Sequence, residues 1–202
     1  MTRRPLAPRP PRNMAARIGI LGGSFNPAHA GHRHISLLAL KSLGLDEVWW
    51  LVTPRNPLKS AAELAGFDER LRRARDVAAH PRIRVSDLER DFPSAYTADV
   101  LTRLRRRWPR NRFIWLMGAD NLAQFHLWRR WRDILDSVPV AVFDRPDYSY
   151  VPLWAKAAVA CSASRVRGRA RYRLAECNPP AWAFFHGRRN RLSSTAIRRG
   201  RA

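Results

Sequence analysis

The sequence is poor in the residues that build disulfide scaffolds, zinc sites and membrane spans. It has only two cysteines, Cys161 and Cys177, with neither a CxxC pair nor a zinc-ligand spacing. No apolar run is long enough to cross a bilayer, and no apolar stretch of signal-peptide length follows the basic start MTRRPLAPRPPRN. We therefore expect a cytoplasmic protein with no membrane contact, although one disulfide between the two cysteines stays open.

Acidic residues are also scarce, with 16 Asp and Glu against 38 Lys and Arg, for a formal charge of +22. A basic surface attracts phosphate-bearing ligands, and it raises a nucleic-acid-binding protein as an alternative. The arginines are spread along the chain, however, and the densest run, RLRRRWPRNR at 103–112, is interpreted as a solvated helix end and loop. We do not expect a nucleic-acid partner.

Hydrophobic residues make up 46% of the 202 residues, enough for one domain with a real core. Residues 1–15 are rich in Pro and Arg, and we predict a disordered basic tail there, followed by a single domain over residues 16–202. Residues 145–180 are also rich in Arg and Pro, and they yield no structural prediction.

Continuous apolar runs alternate with segments of helical periodicity along the predicted domain. We predict strands at 17–22, 47–53, 83–88, 113–118, 138–143 and 182–186, and helices at 31–43, 68–79, 97–108, 122–137 and 193–200. Gly44 is interpreted as a helix C-cap and Asp68 as an N-cap. The pattern predicts an α/β fold, a doubly wound parallel sheet with helices on both faces.

The segment LGGSFNPAHAGH follows the first predicted strand directly. Its glycines allow close approach of the backbone to a ligand, and the following helix start offers amides to an anion. His29 and His32 lie three residues apart, so both imidazoles can face one spot. Neither GxGxxG nor GxxxxGK[ST] occurs, which excludes the dinucleotide fingerprint and the Walker loop.

A second motif, RLSSTAIRRG, lies near the other end of the chain. Hydroxyls at a predicted helix start, followed by a guanidinium on Arg198, suit a phosphate group. Taken alone, the motif is equally typical of an ordinary capped helix.

Together, GGSFNPAHAGH and SSTAIRRG resemble the nucleotidyltransferase superfamily with an HxGH signature. The stretches PRNPLK, DLERDFPSAYTADVL, FIWLMGADNLAQFHLW and WRDIL narrow the resemblance to bacterial nicotinate-mononucleotide adenylyltransferases. It covers residues 17–199. It implies a Rossmann-like domain that joins ATP and nicotinate mononucleotide, giving deamido-NAD and pyrophosphate for NAD biosynthesis. It also implies Mg²⁺ carried on the ATP phosphates, without dedicated metal ligands from the protein.

The resemblance implies a role for each matching residue. His29 and His32 are the implied catalytic pair, holding the phosphates and stabilising charge at the α-phosphate. The implied ATP-binding residues are Gly22, Gly23, Ser24, Phe25, Gly118, Asp120, Ser193, Ser194, Thr195 and Arg198. The implied residues for nicotinate mononucleotide are Lys59, Thr97, Ala98, Trp128 and Arg129.

The sequence leaves other interpretations of these residues open. Thr97 and Asp120 are equally typical of helix N-caps, and Trp128 of a core aromatic. Asn26 replaces the Asp of many family members, and Arg129 stands where an aromatic is frequent. The alternative acceptors are nicotinamide mononucleotide and phosphopantetheine, and the sequence leaves the oligomeric state open.

Overall fold

A computed structural model describes residues 15–54, 64–144 and 151–186 of the chain. In these ranges six strands form one sheet in the order β3-β2-β1-β4-β5-β6. The strands are β1 (Arg17–Gly23), β2 (Glu47–Val52), β3 (Ile83–Ser86), β4 (Arg112–Gly118), β5 (Val140–Phe143) and β6 (Trp182–Phe185). Residues 1–14 of the predicted tail and the predicted helix at 193–200 lie outside the described residues.

Every neighbouring pair of strands in the sheet is parallel. The strand order reverses between β1 and β4, which are hydrogen-bonded neighbours although they are far apart in the chain. This arrangement confirms the predicted doubly wound α/β fold. In such sheets, ligands bind outside the carboxyl ends of the strands at the reversal.

Helices cover both faces of the sheet. They are α1 (Ala30–Ser42), α2 (Phe67–Ala78), α3 (Thr97–Arg107), α4 (Ala119–Gln124), α5 (Trp131–Ser137) and α6 (Lys156–Ala160). One core cluster packs Leu101, Leu122 and Ile134 against the sheet, and a second packs Ile35 and Leu71 against the opposite face. No helix in the described ranges has the length and apolarity that a bilayer crossing needs.

Several predicted boundaries are wrong by a residue or more. Helix α2 begins after Gly66, so Asp68 lies in its first turn and is not the N-cap. Helix α1 ends at a Leu43 C-cap, and Gly44 follows it with a left-handed φ of 57°. The strand predicted at 83–88 ends at Ser86, because the chain turns into a 3₁₀ helix at Leu88–Asp91.

The single helix predicted at 122–137 is broken in the structure. α4 ends at Gln124, a 3₁₀ turn follows at Phe125–Leu127, and α5 begins only after Arg130. Arg130 has a φ of 54°, a left-handed conformation that interrupts the helical backbone.

Residues 145–180 yielded no structural prediction. In the described part of this segment, short helices lie between Val151 and Glu176. Cys161 and Cys177 are both free thiols, so the open alternative of a disulfide between them is excluded.

A buried carboxyl lies next to the carboxyl end of β2. Glu89 is 5% exposed, and its Oε2 accepts a hydrogen bond from the Thr53 hydroxyl directly after β2. Burial raises the pKa of Glu89 to about 7, and the hydrogen bond from Thr53 opposes the rise. The folded protein therefore holds a proton on Glu89 over a pH range in which the unfolded chain has released it.

We expect the free energy of unfolding to fall as the pH rises from 4.5 to about 7, because only the unfolded state gives up the Glu89 proton there. The full effect is about 3 kcal/mol. Urea unfolding at about pH 5 and about pH 8 measures it. Glu89→Gln cannot titrate, so it should gain stability relative to the wild type between these two values.

Glu69→Gln is the matched control. Glu69 is partly exposed and paired with Arg72 and Arg73, and the Arg72 hydrogen bond lowers its pKa from 4.5. The contribution of ionised Glu69 to the free energy of unfolding is therefore constant above pH 4.5 and is lost only in more acidic solution. If the free energies of unfolding of the wild type and Glu89→Gln changed with pH in parallel, the raised pKa of Glu89 would be contradicted.

Candidate active site at the carboxyl end of the sheet

The loops that follow β1 and β4 meet at the reversal of strand order. The β1 loop comprises residues 24–29 and leads into α1, whereas β4 passes directly into α4 at Gly118. The segment LGGSFNPAHAGH therefore lies where a doubly wound sheet forms its ligand crevice.

The two histidines of the motif cap α1 reciprocally. His29 is the N-cap residue, and its Nδ1 accepts from the backbone N–H of Gly31 at 3.1 Å. The Nδ1 of His32, one turn into the helix, accepts from the backbone N–H of His29 at 3.2 Å. The ring centroids are 3.9 Å apart, so the three-residue spacing does bring both imidazoles to one place.

These hydrogen bonds fix the tautomer of both neutral rings. A nitrogen that accepts from a backbone N–H carries no proton, so in each ring the proton of the neutral form resides on Nε2. His29 and His32 therefore each carry an Nε2–H donor, and the two donors belong to rings in direct contact. Two adjacent donors at a helix start suit phosphate oxygens.

A column of aromatic rings supports the imidazoles. Trp50 of β2 is fully buried and stacks on Phe25 with ring centroids 5.0 Å apart. Phe25 in turn lies 4.8 Å from the His32 ring. The Trp50 indole N–H donates to the Ser36 hydroxyl at 2.8 Å, and that hydroxyl donates to the His32 carbonyl at 2.9 Å. The position of His32 is thus fixed through both its ring and its backbone.

Packing against a neighbouring strand, and not the approach of a ligand, explains why position 22 is a glycine. A Cβ atom on Gly22 would lie 2.5 Å from the Trp115 ring of β4, closer than packed atoms come. At Gly23 a Cβ would meet the Phe25 ring at 3.7 Å and the Phe25 backbone nitrogen at 3.9 Å, both ordinary contact distances. Close packing between β1 and β4 therefore requires a glycine at position 22, whereas position 23 has room.

Gly118 and Asp120 lie at the carboxyl end of β4, the strand beside β1. Gly118 is the N-cap residue of α4, so the alternative of Asp120 as N-cap is wrong. Asp120 lies in the first turn of α4 and is half-buried.

The start of α3 also lies on this side of the sheet. Tyr96 is the N-cap residue, and its carbonyl accepts from the backbone N–H groups of Asp99 and Val100, each at 3.0 Å. Thr97 is consequently the first residue of the helix and not its cap. Ala98 is 3% exposed and its methyl packs in the core, so its binding role stays a prediction.

The Trp128–Arg129 segment packs beside the start of α3. The Trp128 ring is half-buried and makes edge contacts with Phe125 at 5.4 Å and Trp115 at 6.2 Å. The exposed Arg129 guanidinium lies over the Tyr96 ring, 4.6 Å from its centroid. The structure therefore brings Trp128 and Arg129 toward the helix start that carries Thr97.

Three residues that form buried or supporting hydrogen bonds around the candidate site are absent from the site residues predicted from the sequence. Ser94 donates to Asp99 at 2.6 Å and accepts from the N–H of Tyr96, so it supports the start of α3. Glu89 and Arg70 are buried beside Thr53. A usable sequence signal existed only for Arg70, which falls on the apolar stripe of α2 with Leu71, Ala74 and Ala78.

Five of the candidate site residues lie outside the described residues, and their roles stay predictions. They are Lys59, Ser193, Ser194, Thr195 and Arg198.

Comparison with known proteins agrees with this architecture. The profile of the cytidylyltransferase-like family matches residues 20–200. A probable nicotinate-nucleotide adenylyltransferase of Methylorubrum extorquens is 54% identical over 182 residues, covering 90% of this chain and 98% of the relative. One from a Bradyrhizobium species is also 54% identical over 90% of this chain and 95% of its own length.

Among solved structures, a Plasmodium falciparum nicotinic acid mononucleotide adenylyltransferase complexed with NaAD superposes with a TM-score of 0.69. The match covers 91% of this chain and 83% of that chain at 16% identity, which supports the fold alone. The family profile spans nearly the whole chain. The 54% sequence identity to the two bacterial relatives is high enough to show that they and this chain belong to one family. The chain belongs to the cytidylyltransferase-like family and, within it, to the nicotinate-nucleotide adenylyltransferases.

Proposed function

We propose that the chain transfers the adenylyl group of ATP to nicotinate mononucleotide, producing nicotinate adenine dinucleotide and pyrophosphate in NAD biosynthesis. The observation that carries this proposal is the family membership, at 54% identity to two relatives of that name. The capped histidine pair at the carboxyl end of β1 supports it, because the pair suits phosphate chemistry and no covalent nucleophile is needed.

The reaction is a direct displacement at the α-phosphorus of ATP. A phosphate oxygen of nicotinate mononucleotide attacks, one P–O bond forms, and the bond to the bridging oxygen breaks. That bond's electron pair leaves with pyrophosphate. Catalysis then consists of aligning the two nucleotides and stabilising the charge that develops on the phosphate oxygens.

In this proposal, the Nε2–H groups of His29 and His32 donate to the ATP phosphates. Their reciprocal capping bonds hold both rings before the substrate arrives, so little reorganisation is needed during the reaction. The Gly22–Phe25 backbone and the Gly118–Asp120 turn line the adenosine and triphosphate. Ser193, Ser194, Thr195 and Arg198 are proposed for the same nucleotide, and Lys59 for the second substrate.

The start of α3 is proposed to bind the nicotinate carboxylate. The backbone N–H groups of Thr97 and Ala98 belong to the first turn, where helical amides have no intrahelical acceptor. The positive end of the helix dipole favours an anion there. Trp128 then stacks on the pyridine ring, and the Arg129 guanidinium over Tyr96 adds positive charge nearby.

Mg²⁺ is proposed as the accompanying cation, bound chiefly through the phosphates of ATP. The described residues contain no group of three or more His, Cys, Asp or Glu side chains that could hold a metal ion. Mg²⁺ keeps several water ligands and binds through substrate phosphates, so the proposal assigns it no dedicated protein ligand. When bound, the ion neutralises charge on the triphosphate. We also propose that the protein is located in the cytoplasm.

The acid acceptor should be preferred over the amide. With nicotinate mononucleotide, kcat/KM should exceed that with nicotinamide mononucleotide by at least about tenfold, because only the carboxylate accepts charge-assisted hydrogen bonds at the α3 start. Steady-state pyrophosphate release with ATP and each acceptor measures the ratio. A higher kcat/KM for the amide would contradict the proposed substrate.

His32→Ala should lower kcat by about 10²–10³, the loss that follows removal of one transition-state donor. Pyrophosphate release at saturating ATP and nicotinate mononucleotide measures the effect, and a wild-type kcat would exclude His32 from the mechanism. The matched control is His80→Ala. The Nδ1 of His80 accepts from the Arg82 backbone in the same way, at 3.2 Å, but it precedes β3 at the amino end of the sheet. This variant should keep wild-type turnover.

A further inference from the structure

An arginine lies on the face of α2 that is buried. Arg70 is in the first turn of the helix, and only 2% of it is exposed. Its stripe also carries Leu71, Ala74 and Ala78, which pack in the core. A charged side chain in this position loses its hydration, so it is stable only if other groups replace the lost water.

Main-chain carbonyls replace that water. Arg70 donates from Nε to the carbonyl of Ala65 at 2.9 Å, and from Nη2 to that of Pro54 at 2.9 Å. Its Nη1 donates to the carbonyls of Ser24 at 2.6 Å and Thr53 at 2.8 Å. Four of the five N–H bonds of a guanidinium are thereby used.

The acceptors come from separate parts of the chain. Ser24 belongs to the loop after β1, Thr53 and Pro54 follow β2, and Ala65 immediately precedes α2. Burial lowers the pKa of Arg70, but a guanidinium remains protonated at neutral pH, so all four bonds are charge-assisted. Its planar fork fixes the directions of these bonds, which no aliphatic side chain at this position could do.

The hydrogen bond from Arg70 to the Ser24 carbonyl connects Arg70 to the histidine pair through the next residue, Phe25. Ser24 precedes Phe25, which adopts a left-handed φ of 46° and places its ring 4.8 Å from the His32 ring. The same loop is tied a second time, because the Asn26 side-chain oxygen accepts from the Ala65 N–H at 3.3 Å. Ala65 is thus bound to the loop through its N–H and to Arg70 through its carbonyl.

We infer that Arg70 is a positioning residue of the ATP site, which holds the Ser24–Asn26 loop in the conformation that binds the triphosphate. The inference rests on the proposed function, since it assigns ATP to the loop. Arg70 acts through the main chain and through its buried positive charge beneath the loop, where the surrounding protein screens it less than water would. Its loss should therefore impair ATP binding and turnover beyond any effect on folding.

Two variants separate geometry from charge. Arg70→Met keeps the aliphatic bulk and removes both the charge and the four hydrogen bonds. Its kcat/KM for ATP should fall by about 100-fold, with a higher KM and a lower kcat, as expected for losing charged hydrogen bonds. Arg70→Lys keeps the charge but not the fork, so its loss should be smaller, about tenfold.

Both variants are assayed at a temperature where circular dichroism shows them folded. Leu71→Ala is the matched control, because it loosens the packing of the same helix without touching the four carbonyls. It should unfold at a lower temperature and keep the wild-type KM for ATP. A normal KM and kcat in Arg70→Met, or an equal rise of KM in Leu71→Ala, would overturn the inference.

Calorimetric titration with the α,β-methylene analogue of ATP separates this inference from the proposed function. Absence of pyrophosphate release by the wild type would refute the function. A Kd for the analogue that rises in Arg70→Met supports the role of Arg70 independently of turnover, and an unchanged Kd overturns it.

If neither Arg70 variant folds, Asn26→Ala removes the second tie between the loop and Ala65 and leaves Arg70 in place. Its KM for ATP should rise at least about threefold, as expected for one lost hydrogen bond. An unchanged KM would overturn the inference.

Discussion

The reciprocal hydrogen bonds between two imidazoles and the first amides of α1 determine the chemistry of this molecule. They set the start of the helix, and they place the proton of each neutral ring on Nε2. A histidine with the opposite tautomer could not cap the helix in this way. The start of α1 and the candidate chemistry therefore depend on the same pair of side chains, His29 and His32.

The surrounding structure keeps this pair in place from two directions. Beneath the rings, Phe25 and Trp50 form a stacked support that belongs to the buried core. Beside them, Arg70 binds the carbonyls on which the loop conformation depends. The positive groups assembled at this end of the sheet match the anionic substrates of the proposed reaction. The large net charge of the chain adds attraction at longer range.

The sequence predicts the fold well because apolar runs mark the strands and the histidine motif follows the first of them. The three-residue spacing of His29 and His32 was sufficient to predict that their rings share one location. Packing between distant segments was not predictable. Gly22 is required by the Trp115 ring, and the partners of Arg70 come from the β1–α1 connection and from both ends of the β2–α2 connection, which only the folded chain brings together.

The break before α5 was equally hidden, since FHLWRRWRDIL contains neither glycine nor proline and keeps helical periodicity through Arg130. Aromatic contacts of Trp128 and Trp131 with Phe125, together with the ion pair between Arg130 and Asp99, accompany the turn there. Tertiary contacts thus outweigh local propensity at this point.

The most direct test of the central claim is the tautomeric state of the histidine pair. Long-range ¹H–¹⁵N correlation spectra, recorded at a pH where both rings are neutral, distinguish a protonated Nε2 from a protonated Nδ1. We expect Nε2–H for His29 and His32, with both Nε2 resonances shifting when the α,β-methylene analogue of ATP is added. An Nδ1–H tautomer in either ring, or Nε2 resonances that ignore the analogue, would contradict it.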